Sequence, residues 1–133
     1  MSLYRKNVGA TGEQVASDFL IKKAYKILAT NFRSRFGEID IIAFKKNKIS
    51  FIEVKTRLGN KKGKPYEAIS KRKIIHLKKA AQYYLLINHC KQYKLSLEAI
   101  SITLDDNFKP IKIDHFENIE TQLLVNFHYV YHH

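Results

Sequence analysis

Residues 37–56, with the sequence GEIDIIAFKKNKISFIEVKT, give the strongest indication of the fold. Two segments rich in Ile, Phe and Val, residues 38–44 and 49–56, flank the polar residues 45–48, and this pattern is typical of a β-hairpin. The two strands are expected at the centre of a sheet. Because side chains alternate faces along a strand, Glu53 and Lys55 are predicted to lie on the same face.

A hairpin symmetric about the Lys46–Asn47 bond would place Asp40 opposite Glu53 and Glu38 opposite Lys55. Directly opposed like charges destabilise a sheet, and Mg²⁺ would relieve this repulsion because it prefers oxygen ligands. If the reaction is phosphodiester hydrolysis, the two facing carboxylates would hold the metal. Lys55 would orient or deprotonate the attacking water, or stabilise the transition state. The alternative is a solvated strand face, and a register shift of one residue would separate the carboxylates.

The remaining periodicities predict a helix over residues 12–23 and a strand over 25–31 before the hairpin. Thr11 and Gln14 have capping-box spacing, which would put Glu13 in the first turn, where a carboxylate complements the helix dipole. After the hairpin, a helix is predicted from Pro65 to about His89, then strands over residues 97–104 and 110–116 around a turn at 105–107.

The resulting order, α-β-β-β-α-β-(β), predicts an α/β fold with a mixed central β-sheet flanked by helices. Residues 1–117 are expected to form a single domain, and residues 118–133 a C-terminal extension. His128 and His132 have the i, i+4 spacing of a helical metal site and His133 follows, but a tail without function explains them as well. His76, His89 and His115 show no carboxylate or cysteine partner at ligand spacing, which argues against a further zinc site.

The chain of 133 residues carries 24 Lys and Arg against 12 Asp and Glu, for a formal charge of +12, which favours a polyanionic partner such as DNA. Most of the cations are lysines, so genome composition also explains part of the excess. Cys90, the only cysteine, excludes an intrachain disulfide and fits a reducing, cytoplasmic setting. No apolar run suggests a signal peptide or a membrane span.

Asp40, preceded by Gly37-Glu38-Ile39, and Glu53-Val54-Lys55 thirteen residues later resemble the PD-(D/E)XK pattern of the restriction-endonuclease-like fold, and more closely the YraN-like family. The matches that support the YraN-like resemblance are Gly9-Ala10-Thr11-Gly12-Glu13, Asn31-Phe32-Arg33, Glu53-Val54-Lys55-Thr56-Arg57, Gly63-Lys64-Pro65, Glu67-Ala68, Lys73, Ala81 and Tyr84-Leu85. They are spread over residues 9–85, a little over half of the chain. Ile39 stands where the superfamily has proline, and Ser96-Leu97-Glu98 where the family usually has Arg-Phe-Asp; the second departure argues against a structural or DNA-contacting role for that later strand.

The resemblance implies a metal-dependent endonuclease with Asp40, Glu53, Lys55 and Glu13 as its catalytic residues. Mg²⁺ or Mn²⁺ would bind to Asp40, Glu53 and Glu13. Similar sites in archaeal Holliday-junction resolvases suggest branched or structured DNA as the substrate, and many nucleases of this class act as homodimers.

The nucleic-acid contacts expected around the site are Arg33, Arg35, Arg57 and Lys73. Solvated surface charges are an equally good explanation of these four cations. The alternative functions are a non-catalytic DNA-binding accessory protein that retains a nuclease fold, and nonspecific basic binding. The intact set of carboxylates and Lys55 favours the enzyme.

Overall fold

The computed structural model describes residues 3–59 and 70–120 of the chain. Two helices and five strands follow in the predicted order of helix, three strands, helix and two strands, which confirms the α/β class. The elements are α1 (Leu3–Lys22), β1 (Lys26–Ser34), β2 (Gly37–Lys45), β3 (Lys48–Leu58), α2 (Lys71–Ile87), β4 (Lys94–Leu104) and β5 (Pro110–Phe116).

The five strands form one mixed sheet in the order β1-β2-β3-β4-β5. All neighbours are antiparallel except β3 and β4, which pair in parallel and are joined through α2. A parallel pair requires such a crossover, whereas β2 and β3 need only a tight turn. Lys46 and Asn47 form that turn with φ of 49° and 64°, the positive values that a two-residue type I′ hairpin requires. In the strand order of the sheet, β3 is the central strand.

Each helix covers one face of the sheet. Ile42 and Phe51 pack in a buried cluster with the apolar side of α2, while Ile41 and Ile52 pack in another with α1. Because both faces of the hairpin are buried, its strands are almost continuously apolar. The charged residues in this hairpin are therefore exceptions to its local pattern.

Several predicted boundaries differ from those of the structure. Helix α1 begins at Leu3, so Thr11 lies inside the helix and the proposed capping box is wrong. The early turns lack the apolar stripe on which the prediction depended. Strand β1 continues to Ser34, and β4 begins at Lys94, where it pairs with Lys48 of β3. Ser70 is the N-cap of α2 and accepts a hydrogen bond from the Lys73 N–H, whereas the predicted start at Pro65 lies outside the described residues.

The C-terminal part is described as far as residue 120. Ile119 is buried in the cluster that contains α2, and Lys78 forms an ion pair with Glu120. The candidate metal ligands His128, His132 and His133 lie outside the described residues. None of the helices in the described part of the chain has the length and apolar character needed to cross a bilayer.

Gly12 fixes the distance between α1 and β3. A Cβ atom added to Gly12 would lie 1.7 Å from Thr56 Oγ1 and 2.7 Å from its Cβ. Gly12→Ala is therefore expected to lower the free energy of unfolding by about 1 to 3 kcal/mol, although alanine favours a helix. Urea unfolding would measure the loss.

Gly9 in the same helix supplies the matched control, because a Cβ added there meets nothing within 4 Å. Gly9→Ala is expected to be neutral or to stabilise by up to about 1 kcal/mol. Thr56→Ala, which removes two of the three nearest clashing atoms, should recover part of the Gly12→Ala loss. Equal stability of the Gly9 and Gly12 variants would contradict this account of the helix contact.

Candidate active site

The candidate site lies where the β2–β3 ladder ends. The register is symmetric from Lys45 opposite Lys48 to Ile41 opposite Ile52, as predicted. Beyond the last pair, Asp40 Oδ2 accepts a hydrogen bond from the Val54 N–H at 2.8 Å. A carboxylate thus satisfies the backbone donor of β3 at the point where the ladder stops.

The backbone of β1 also departs from regular strand geometry at this level, although the register shift of the β1–β2 pair lies earlier, between Ile27 and Ala29. Asn31, which follows the Thr30–Ile41 pair, has a left-handed φ of 53°. Ile39 and Ile42 are three residues apart, yet both pack in the cluster that contains α2, so β2 changes the phase of its side chains between them. Asp40 is therefore free of the strict alternation that would place it in one of the two cores.

Asp40 and Glu53 line one cleft with a volume of about 320 Å³. The other residues that line this acidic cleft are Phe36, Gly37, Glu38, Lys73, His76 and Leu77. The structure thus brings together the two carboxylates that the sequence predicted as neighbours. Three carboxylates on β2 and β3 share the cleft with Lys73 from the first turn of α2.

Lys73 forms an ion pair with one of these carboxylates. Its Nζ atom donates to Glu53 Oε1 at 2.8 Å, and the side chains of Lys73 and Glu53 are 54% and 19% exposed. The predicted role of Lys73 was contact with nucleic acid. That contact stays a prediction; the structure places the Lys73 ammonium at the carboxylates, where it would compete with any metal ion for the Glu53 oxygen.

Glu13 reaches the site from the middle of α1, not from a first helical turn. The side-chain nitrogen of Asn31, oriented toward the two carboxylates, donates to Glu13 Oε1 at 2.9 Å and to Glu38 Oε1 at 3.1 Å. Asn31 thereby ties α1 to the hairpin. Because Glu13 is nowhere near the start of α1, complementing the helix dipole does not explain it.

The carboxylates perturb one another. Burial, followed by repulsion from Glu53, raises the pKa of Asp40 from its ordinary value of 3.8 to about 7, against the opposing hydrogen bond from Val54. Burial and the charges of Glu38 and Glu53 also raise the pKa of Glu13. Like-charged carboxylates that hinder each other's ionisation are characteristic of functional sites.

The donor set suits a hard divalent cation. Glu13, Asp40 and Glu53 offer only carboxylate oxygens, the ligands that Mg²⁺ and Mn²⁺ prefer, and a nearby 2+ charge would lower the raised pKa of Asp40. Their ligand atoms are more widely spaced than in a closed metal site. Among the described residues, three ligand atoms within 4.8 Å of one another occur in a different cluster and not in this one. Such an open arrangement fits a catalytic cation that keeps several waters.

Lys55 is exposed on β3, two residues after Glu53. No carboxylate of the described residues forms an ion pair with it. The predicted pairing with Glu38 is wrong, because the regular ladder ends at Ile41 and Ile52. Glu38 instead approaches Arg33 Nε at 3.8 Å and accepts from Asn31. Glu38 therefore does not neutralise the Lys55 ammonium, which lies two residues after Glu53 on β3.

The other predicted nucleic-acid contacts are distributed around the hairpin. Arg33 is largely exposed on β1, and Arg35 places its guanidinium carbon 4.8 Å from the centre of the Phe36 ring. Arg57 is half-buried on β3. Because Phe36 lines the acidic cleft, its contact with Arg35 places that guanidinium at the edge of the cleft.

A second polar cluster was missed by the sequence analysis. Glu98 of β4 is fully buried and accepts hydrogen bonds from Ser50 Oγ at 2.7 Å and Ser96 Oγ at 2.8 Å. His115 Nε2 lies 2.8 Å from Glu98 Oε1, so the prediction that His115 has no carboxylate partner is wrong. The prediction that the Ser96-Leu97-Glu98 departure removes a structural role from this strand is also wrong, since β4 pairs with β3 from Lys94 to Leu104.

The pairing of β4 with β5 explains the contact. Ile100 lies opposite His115, so a histidine seventeen residues away from Glu98 becomes its neighbour. The signal for this contact lies in the register of the two predicted strands about the turn between them.

The Glu98 cluster is a closed network of hydrogen bonds. Glu98, His115 and Glu117 bring three ligand atoms within 4.8 Å. Lys23 Nζ lies 2.8 Å from His115 Nδ1, and because an ammonium can only donate, Nδ1 accepts and Nε2 carries the proton directed at Glu98. Lys48 Nζ is 3.4 Å from Glu98 and 3.6 Å from Glu117. With these cations in place, the network satisfies its carboxylates without a metal.

Comparison with known proteins gives consistent matches over most of the chain. The model of the uncharacterised protein family UPF0102 matches residues 12–108. A UPF0102 protein of Caldicellulosiruptor bescii is 45% identical over 111 residues, covering 82% of this chain and 92% of the relative. One from Thermodesulfovibrio yellowstonii is 46% identical over 114 residues, covering 86% and 96%. One from Clostridium perfringens is 43% identical over 102 residues, covering 77% and 84%.

Proposed function

Because this chain belongs to the uncharacterised protein family UPF0102, we propose its function from the geometry of the site: it is a metal-dependent DNA endonuclease that hydrolyses phosphodiester bonds. The observation that carries the proposal is that Asp40 of β2 and Glu53 of β3 line one cleft, while Asn31 joins Glu13 of α1 to Glu38 of the same cleft, in a protein of net charge +12. A strongly basic protein that gathers carboxylates at one end of its central hairpin has a site suited to a cation and a polyanion together.

Asp40 and Glu53 are the proposed ligands of Mg²⁺ or Mn²⁺, with Glu13 as a further ligand, directly or through water. The bound ion would supply an activated water and positive charge at the phosphate. Asp40 is held in place by the Val54 N–H and Glu13 by Asn31, so neither depends on the metal for its position. Lys55 orients or deprotonates the water, or stabilises the negative charge of the transition state.

The PD-(D/E)XK resemblance of Asp40, Glu53 and Lys55 supports the same reaction, and the similarity to Holliday-junction resolvases suggests branched or structured DNA in repair or recombination. Arg33, Arg35 and Arg57 would contact phosphates on either side of the cleaved bond. Lys73 would contact DNA only after giving up its ion pair with Glu53.

The second candidate function is a DNA-binding accessory protein without turnover. The Lys73–Glu53 ion pair favours it, because a 2.8 Å contact with an ammonium neutralises Glu53 without any metal. In that case the acidic cleft would be a structural remnant, and the basic surfaces would account for binding.

Cleavage of a panel of linear, flapped and four-way-junction DNA with Mg²⁺, Mn²⁺ or EDTA distinguishes these functions. Lys55→Ala is expected to lower kcat about 10² to 10³-fold. Lys94→Ala, at the other end of the parallel β3–β4 ladder, is the matched control and should change kcat less than about twofold. DNA binding without cleavage of any substrate would replace the nuclease with the accessory protein, and equal activity of the two variants would remove Lys55 from the mechanism.

A further inference from the structure

A second groove adjoins the acidic cleft and differs from it in chemistry. It has a volume of about 590 Å³ and lies between the turn after β1 and the exposed side of α2. The residues that define this basic aromatic groove are Arg35, Phe36, Lys79, Tyr83, Leu86 and Lys91. Phe36 lines both the groove and the acidic cleft, so the two depressions adjoin at this residue.

The floor of the basic aromatic groove is apolar and partly aromatic. The Phe36 and Tyr83 rings are in edge contact, with centroids 5.7 Å apart and planes inclined by 60°. Leu86 is 54% exposed beside them. Among the described residues, an exposed leucine next to two half-buried rings leaves apolar surface open to solvent, and such surface commonly marks a binding site.

The rim of the groove is basic. Arg35, Lys79 and Lys91 line it, and none of its lining residues is acidic. The Arg35 guanidinium lies over Phe36, which presents a flat cation on the aromatic side of the groove. By contrast, the acidic cleft next to it contains Glu38, Asp40 and Glu53. A ligand that spans both would therefore offer anionic and flat apolar groups to the basic aromatic groove, and an anionic group of it could approach the carboxylates only through the cation of the proposed function.

We propose that the basic aromatic groove binds a single-stranded segment of DNA adjacent to the phosphate that is hydrolysed in the acidic cleft. This inference rests on the proposed nuclease function and names the form of its substrate. Unpaired bases offer flat faces to Tyr83 and Arg35, while their phosphates meet Lys79 and Lys91. In a duplex the base faces are stacked on each other, so only the cations would find partners and the apolar floor would stay uncovered.

Binding of the wild-type protein to a fluorescent oligonucleotide, single-stranded or as a duplex of the same sequence, tests the proposal in EDTA, where no hydrolysis occurs. Tyr83→Ala is expected to weaken single-strand binding about tenfold and to change duplex binding less than about twofold. Tyr83→Phe keeps the ring and should bind single strands within about twofold of wild type. Ile87→Ala, an exposed aliphatic residue of α2 outside the lining, is the control for changes in the helix.

If Tyr83→Ala lowers the unfolding midpoint, Arg35→Lys serves instead, because it keeps the positive charge for phosphates and removes the flat guanidinium that lies over Phe36. It should weaken binding of single strands more than binding of duplexes. Equal losses on the two DNA forms, or no loss on single strands, would overturn the proposal and leave the groove to a protein partner. A selective effect of Tyr83→Ala in a protein that cleaves nothing would support the groove while the nuclease function fails, so the two failures are distinguishable.

Discussion

Replacing Asp40 by Asn is expected to abolish DNA cleavage and at the same time to stabilise the metal-free protein. The substitution keeps an oxygen that can accept the Val54 N–H, so the end of the hairpin should retain its geometry. It removes the charge that would hold the cation. A loss of about 10³-fold in kcat/KM is expected for losing such a group.

The gain in stability follows from the raised pKa of Asp40. Ionising a carboxylate that is buried beside Glu53 is unfavourable, and its pKa rises from 3.8 to about 7. Between these values the folded protein holds a proton that the unfolded chain has released, so the stabilising contribution of protonated Asp40 is lost as the pH rises through about 7. The uncharged amide of Asn has no such proton to release, so the variant does not lose stability in this way. Asp40→Asn should therefore be more stable than wild type by about 1 to 2 kcal/mol at pH 8 in EDTA, with a smaller difference near pH 4.

Urea unfolding at pH 4, 6 and 8, with EDTA or with Mn²⁺, measures this effect beside the cleavage assay. Mn²⁺ should stabilise wild type, because it binds only the folded protein, and should have a smaller effect on Asp40→Asn. Asp18→Asn is the matched control, since Asp18 is an exposed aspartate on α1 whose hydrogen bond within the described part of the chain is to Gln14 of the same helix. An Asn variant that cuts DNA as well as wild type would exclude Asp40 from the site, and a variant less stable than wild type at pH 8 would exclude the charge repulsion.

Replacing Glu98 by Ala is expected to lower the free energy of unfolding by about 3 to 5 kcal/mol, the largest stability effect anticipated for this protein. Glu98 is fully buried and accepts from Ser50, Ser96 and His115. Its removal leaves these donors, and the Lys48 ammonium at 3.4 Å, without their common acceptor. Buried donors that lose their acceptor bear the full desolvation penalty.

The same network sets the pH dependence of this contribution. Burial alone would raise the pKa of Glu98, but the hydrogen bonds from His115, Ser50 and Ser96 outweigh it and hold the pKa below its ordinary value of 4.5. The stabilisation is therefore complete above about pH 4.5 and is lost as the pH falls through the lowered value. Wild type should lose stability in this acidic range more steeply than Glu98→Gln, which has no proton to gain.

Denaturant unfolding of Glu98→Ala, Glu98→Gln and Asp114→Ala tests this explanation. Asp114 is a carboxylate of β5 at the edge of the sheet, and its Oδ2 atom lies 3.7 Å from Nζ of the exposed Lys112. The loss of the Asp114 carboxylate should change the free energy of unfolding by no more than about 1 kcal/mol. The Gln variant should fall between the other two, because it retains one acceptor. If Glu98→Ala were as mild as Asp114→Ala, the buried network would not contribute to the stability of the fold. The network does not line the acidic cleft. This measurement therefore tests the stability of the fold independently of DNA cleavage.

The sequence alone predicted the order of the elements and the register of the central hairpin. Both are local properties: alternation along residues 38–44 and 49–56 defines the strand faces, and a two-residue turn at Lys46 and Asn47 fixes which residues oppose each other. Asp40 and Glu53 were predicted as neighbours for this reason. The ladder itself ends at Ile41 and Ile52, so neither Asp40 with Glu53 nor Glu38 with Lys55 forms a regular pair, and Asp40 bonds to the Val54 N–H instead.

What lies beyond local periodicity was decided by the tertiary structure. The start of α1 lacks an apolar stripe, so its length and the position of Glu13 became evident only when the helix packed on β3 through Gly12. Lys73 meets Glu53 because the crossover returns α2 to the same face of the sheet, and His115 meets Glu98 because β5 pairs with β4. Turns and strand alternation act between residues close in the chain, whereas these contacts join residues brought together only when helices and strands bury their apolar faces.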